Sequence, residues 1–145
     1  MKFSTKSYQT GFVVYAVLLA VIMPLMSLDH GTTWDEYVQH RYGQQLLDFY
    51  QSFGSDKSAL GYKDLYLYGG LFEITAEGAV EWLNPFFEND YTYEIRHVVN
   101  ALAGFLAMLF TGLLARYIGG WRCGLIALIM ISLLPRFMGH SMNNP

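Results

Sequence analysis

A lone cysteine, Cys123, leaves this chain nothing with which to close an internal disulfide. A disulfide-stapled scaffold is therefore excluded, and the thiol reads as a small apolar packing residue. Charge is scarce too: only 14% of the 145 residues are Asp, Glu, Lys or Arg, against 53% hydrophobic and 17% aromatic. Ordinary soluble domains carry roughly a quarter charged residues. The sequence shows no internal repeat, no low-complexity tract and no H-E-x-x-H metal motif. The formal net charge is −3, and no basic cluster offers a footprint for nucleic acid.

What is abundant is apolar sequence, and its arrangement is that of a membrane protein. Residues 11–28 contain no charge, and about 20 such residues suffice to cross the hydrocarbon as a helix. A second uncharged run covers 98–115, and a third, 123–138, is interrupted by Pro135 and Arg136. Pro24 is expected to kink the first span near its outer end. Lys2 and Lys6 precede that span, while Arg116 and Arg122 flank the turn 116–122, so residues 1–10 and that turn read as cytoplasmic. The stretch 29–97 then lies outside, followed after the third span by an external end at 139–145. It holds all twelve acids of the chain against four basic residues. A cleaved signal peptide is the competing reading of the first span, disfavoured by its long apolar core and the lack of an A-x-A-like site.

The external stretch carries its own helical signals. Trp34, Tyr37, Val38, Tyr42, Leu46, Leu47, Phe49, Tyr50 and Phe53 recur near the helical period, predicting a helix over 34–53 along the membrane surface. A second helix is expected over 71–82, stopped by Asn84-Pro85. Between them, Tyr66, Tyr68, Gly69 and Gly70 form either a turn into that helix or an aromatic wall for a sugar or lipid. In the second span Gly104, Ala107, Thr111 and Ala115 form a small-residue stripe that lets another helix approach.

Two carboxylates, Asp35 and Glu36, open the external stretch. Thr33-Trp34-Asp35-Glu36 matches a capping box, in which the Thr hydroxyl and the Glu carboxylate satisfy free amides at a helix start. That accounts for Glu36 and leaves Asp35 with only a weak interaction with the helix dipole. His30, Asp35, Glu36 and His40 could also approach a divalent ion, although their spacing matches no strong motif.

These segments together resemble the start of polyprenol-phosphate-dependent glycosyltransferases of the GT-C fold, family 39. The resemblance rests on Trp34-Asp35-Glu36 after a charge-free span, then on Tyr66 to Glu73. It continues through Glu94-Ile95-Arg96-His97-Val98-Val99-Asn100, Leu114 to Gly120, and Pro135 to Pro145. It implies an all-α, multi-span integral membrane bundle that moves a mannose-like sugar from a polyprenyl phosphate to a protein or glycolipid hydroxyl, with inversion. Asp35 corresponds to the general base, which takes the acceptor proton as the hydroxyl attacks. Glu36, Tyr68, Arg96, His97, Arg136 and His140 are candidates for contact with substrate, the cations facing the phosphate. No cofactor is implied, and a divalent metal is not favoured. The resemblance also implies further spans after Pro145, so the chain reads as an amino-terminal portion, in a bacterial inner membrane or the endoplasmic reticulum. The alternative is a small three-span protein whose acidic external domain binds a partner without catalysis.

Overall fold

The computed structural model describes residues 5–143; Lys2 and the final Asn144-Pro145 lie outside the described residues. Among these the chain is helical with no strand. Its helices are α1 (Thr5–Ser27), α2 (Glu36–Gln51), α3 (Leu71–Leu83), α4 (Thr92–Ser132) and α5 (Pro135–Asn143). Short 3-10 turns at Ser58–Gly61, Leu65–Leu67 and Asn84–Phe86 join the middle elements.

Two helices, α1 and α4, are long and apolar enough to cross a membrane, each with a mean hydropathy of 2.1 over its most apolar window. At 1.5 Å per residue, the 23 residues of α1 rise about 34 Å, enough for a hydrocarbon layer of ~30 Å. Only one stripe of α1 is buried: Phe12, Ala16, Leu19 and Met23, the spacing of one face of a helix. The rest of its surface stays apolar and open, with Val17 57% and Leu25 60% exposed, as are Phe110 and Leu114 on α4 at 62%. An apolar surface this extensive is unfavourable in water and suits a membrane.

α4 is two arms. Gly120 has φ +77, in the left-handed region that other residues avoid, and the arms 92–119 and 121–132 fold back on each other there. Glycines set their spacing: a Cβ on Gly124 would stand 3.0 Å from the Gly112 carbonyl oxygen and 2.8 Å from Arg116 Cβ. At the turn the Arg116 guanidinium lies 4.0 Å from the Trp121 ring centroid. Ala101, Met108, Leu128 and Met142 complete the core against the α1 stripe. Two polar contacts cross that core: Tyr15 OH to Ser132 Oγ at 2.7 Å, and Asn100 Nδ2 donating to the His140 carbonyl at 2.7 Å.

Several expectations shift. The third apolar run does not form one helix over 123–138: α4 ends at Ser132, and Pro135 starts α5. A proline has no N–H to continue a helix but fits the first turn of a new one. The arm 121–132 alone rises about 18 Å, short of the hydrocarbon thickness. The small-residue stripe lies further round α4 than expected, because Ala101 and Gly112 are buried while Ala107 and Thr111 are exposed. The first external helix covers Glu36–Gln51 rather than 34–53, closed by Phe53 and Gly54 at positive φ. Its aromatic face divides: Tyr42 and Leu46 pack with Ala59 in a second small core, while Trp34 and Phe53 are 91% and 98% exposed.

The glycine contacts set a test. Gly124→Ala improves helix propensity yet forces the arms of α4 apart, so a net loss of about 1–3 kcal/mol is expected, the usual cost of overpacking. Gly78→Ala on α3, whose Cβ meets nothing within 4 Å, should stabilise by up to about 1 kcal/mol. Thermal unfolding in detergent of both variants separates the two signs; a stabilised Gly124→Ala contradicts the close approach.

Candidate functional site

Helices α2 and α3 are held to the N-terminal end of α4 by buried charge. Arg96, 3% exposed, donates from Nη2 to Glu73 Oε2 at 2.5 Å and from Nη1 to Glu77 Oε2 at 3.1 Å. Glu77 also accepts from His40 Nδ1 at 2.8 Å, and His40 contacts Gln44 through Nε2 at 3.1 Å. Beside this set, His97 Nε2 meets Glu36 Oε2 at 2.9 Å, with both residues 2% exposed. The partners come from α2, α3 and α4, so one network aligns all three. α2 and α3 cross closely: a Cβ on Gly43 would lie 3.2 Å from the Glu73 carbonyl oxygen.

Burial acts on the protonation of one of these acids. Loss of solvent raises the Glu73 pKa above its ordinary value, and the nearby Arg96 cation, which pulls it down, does not cancel that effect. Glu73 therefore favours the folded state most when protonated, below the ordinary value of 4.5. That contribution is lost as pH rises through the raised pKa.

Two of the expected site residues meet in a cavity that shares Glu73 with this network. It has a volume of ≈ 510 Å³ and is lined by Asp35, Gln39, Tyr42, Leu65, Tyr68, Gly69, Phe72 and Glu73. The segment before α3 is thus a turn into a helix and a cavity wall at once. Gly69 takes φ +85 in that turn, and a Cβ on Gly70 would lie 2.6 Å from Leu46 Cδ1. Asp35 stands at the start of α2 without capping it. Its backbone is already helical, at φ −94 and ψ −17, and its side chain makes no cap hydrogen bond. Among the described residues its carboxylate takes one side-chain hydrogen bond, from Thr33 Oγ1 at 2.6 Å.

The capping box is half formed. Glu36 Oε1 accepts from the Thr33 backbone N–H at 2.8 Å, as expected, but the Thr33 hydroxyl donates to carboxylates instead of accepting from a helix amide. Glu36 also does more than close a cap, because its second oxygen holds His97 in the interior.

Arg136 and His140 meet elsewhere, on an open groove of ≈ 320 Å³ shared with His30, Thr33, Pro135, Gly139 and Asn143. Both side chains are exposed and no ion pair engages either among the described residues. Asn143 Nδ2 donates to the Gly31 carbonyl at 3.4 Å, fastening the end of α5 to the loop that carries Thr33. Thr33 is on the wall of this groove, and Asp35, two residues on, is on the wall of the cavity.

Glu36, Arg96 and His97 differ from the expectation that they face substrate. They are buried, Glu36 paired with His97 and Arg96 with Glu73 and Glu77, and His97 Nδ1 is left without a hydrogen-bond partner among the described residues. The groups first considered for a metal are dispersed as well: His30 Nδ1 contacts the Met26 carbonyl at 2.9 Å, while His40 and Glu36 belong to separate pairs. No cluster of three His, Cys, Asp or Glu able to hold a metal occurs among the described residues. Sequence reasoning passed over Glu73 and Glu77. Two acids one turn apart repel unless a cation joins them, and Arg96 was the available cation.

Removing that cation is a direct test. Arg96→Met should cost about 3–5 kcal/mol, because two buried carboxylates lose their counter-charge, measured by denaturation in detergent. Glu73→Gln should flatten the pH dependence: between pH 4.5 and neutrality the wild-type melting temperature falls more steeply than that of the variant. Parallel curves exclude Glu73 as the titrating group.

Compared with protein-family models, with curated proteins and with solved structures, the chain matches none.

Proposed function

We propose that this chain acts as a multi-span membrane glycosyltransferase of the GT-C type, taking a mannose-like sugar from a polyprenyl phosphate to an acceptor hydroxyl at the external face. The observation that carries the reading is the position of Asp35. An aspartate at a helix start is usually explained by capping, yet this one leaves the amides alone and lines a cavity.

The chemistry matches what surrounds it. A hydroxyl is a poor nucleophile, and a carboxylate within hydrogen-bond reach takes its proton as it attacks the anomeric carbon. Tyr68 and Phe72 supply aromatic faces in the same cavity, which stack on the apolar faces of sugars. The leaving phosphate gains negative charge as its bond to carbon breaks, and charge-assisted donors stabilise it. Arg136 is a cationic donor of that kind, and it sits with His140 on a groove separated from the cavity by the Thr33-Trp34-Asp35 segment. Attack from the face opposite the leaving phosphate inverts the anomeric configuration.

Orientation follows the basic residues, with Lys6 and the Arg116–Arg122 turn on the cytoplasmic side and α2, α3 and both cavities outside. The competing reading, an acidic domain that binds a partner, is weakened by the burial of Glu36, Glu73 and Glu77, which spend their charge inside the fold.

Asp35→Asn keeps size and polarity while removing the base. In the product of the complete gene, reconstituted in liposomes with a radiolabelled polyprenyl-phosphate sugar, it should lower transfer by about 10²- to 10⁴-fold. The elution profile and melting temperature should stay unchanged. Transfer at the wild-type rate removes Asp35 from the mechanism.

A further inference from the structure

Thr33 Oγ1 lies 2.6 Å from Asp35 Oδ1 and 2.9 Å from Glu36 Oε1, but a threonine hydroxyl has one hydrogen to give. The two carboxylates are unequal claimants. Glu36 is held without the hydroxyl, since its Oε1 accepts the Thr33 backbone N–H at 2.8 Å and its Oε2 meets His97 Nε2 at 2.9 Å. Asp35 takes no other side-chain hydrogen bond among the described residues. The shorter contact is also the one to Asp35, so the hydroxyl's hydrogen serves Oδ1 first.

We infer that Thr33 is a positioning residue for Asp35, fixing its rotamer and selecting which carboxylate oxygen acts as the base. With Oδ1 held by Thr33, Oδ2 is the oxygen free to take a proton. In the transfer step the acceptor hydroxyl gives its proton to Oδ2 while its oxygen bonds to the anomeric carbon. The bond from that carbon to the phosphate oxygen breaks, and its electron pair leaves with the phosphate. Oδ1 is then the carbonyl oxygen of a neutral acid and still accepts from Thr33, so no heavy atom has to move between the two protonation states. Thr33 is itself anchored through Glu36 to His97 on α4. The base is therefore referenced to the buried network rather than to a mobile loop, as a pre-organised site requires.

The reaction in this inference rests on the transferase reading; the contact rests on the geometry alone. Thr33→Val removes the hydroxyl but keeps the backbone N–H to Glu36 and a methyl on the groove wall. In the complete gene product kcat should fall about 10- to 100-fold, the scale of a misplaced catalytic group, with KM for the polyprenyl-phosphate sugar within about threefold. Thr33→Ser, which restores the hydroxyl, should recover kcat to within a few-fold. In protein labelled with ¹³C at the Asp carboxyls, the Asp35 resonance, assigned by its loss in Asp35→Asn, should move in Thr33→Val and return in Thr33→Ser. Wild-type kcat in Thr33→Val, or an unmoved Asp35 resonance, overturns the inference. A wild-type protein silent toward every polyprenyl-phosphate sugar overturns the transferase reading instead, and the resonance then decides the Thr33 contact by itself.

Discussion

Arg96 lies where three helices converge, and the half of the molecule built from α2 and α3 depends on it. Burying a guanidinium carries a large desolvation cost that is offset only when its donors meet carboxylates in good geometry. Glu73 and Glu77, one turn apart on α3, supply that geometry. Two buried carboxylates without the guanidinium would be at least as costly, so the groups are mutually required. The consequence is directional: α3 must present this face to α4, and α2 must follow, because His40 closes on Glu77 and Glu36 on His97. Hydrophobic contact alone would not demand such a register. The second core is small, centred on Tyr42, Leu46 and Ala59, and apolar surfaces tolerate sliding where paired charges do not.

That rigidity explains how an open cavity persists in a small helical cap. Glu73 belongs to both structures, with its carboxylate on Arg96 and its side chain on the cavity wall. The walls opposite come from α2 and from the turn at Gly69, both set by the packing of Leu46 and Gly70. The space between them is kept open by elements whose spacing is fixed elsewhere.

Periodicity and punctuation carried much of this fold into the sequence. The charge-free run at 11–28 lies within α1 but for its last residue, and the expected helix over 71–82 is α3 to within one residue, because apolar spacing and the Asn84-Pro85 stop are local signals. Pro135 was equally local, yet its effect was understated: a proline at the start of a new helix and one that merely interrupts an old helix look alike in a hydropathy profile. The buried network was not legible. Glu36 and His97 are 61 positions apart, and Arg96 and Glu73 are 23 apart, so no local pattern joins them. An acid-rich stretch between apolar runs reads naturally as solvated surface, and only the fold shows that three of those acids face inward. At the site, Asp35, Tyr68, Arg136 and His140 were visible as residue types beside a membrane. Their division between a cavity and a groove was not, since it depends on how α5 returns to the loop at Gly31.

The contrast between Asp35 and Glu36 follows from helix geometry. Successive residues on a helix point about 100° apart, so once Glu36 turns inward to His97, its neighbour must face another way. The core takes one carboxylate of the pair and joins it to an imidazole; the other is left facing the cavity, partnered by a hydroxyl alone. On the far side of Thr33, Arg136 and His140 likewise lack a carboxylate among the described residues. A fold optimised only for stability would bring such opposite charges together, as this one does for Arg96 and Glu77. Keeping an aspartate and an arginine on either side of one hydrogen-bonded threonine forgoes that interaction. Departures of this kind from local consistency are found where a protein must meet a ligand.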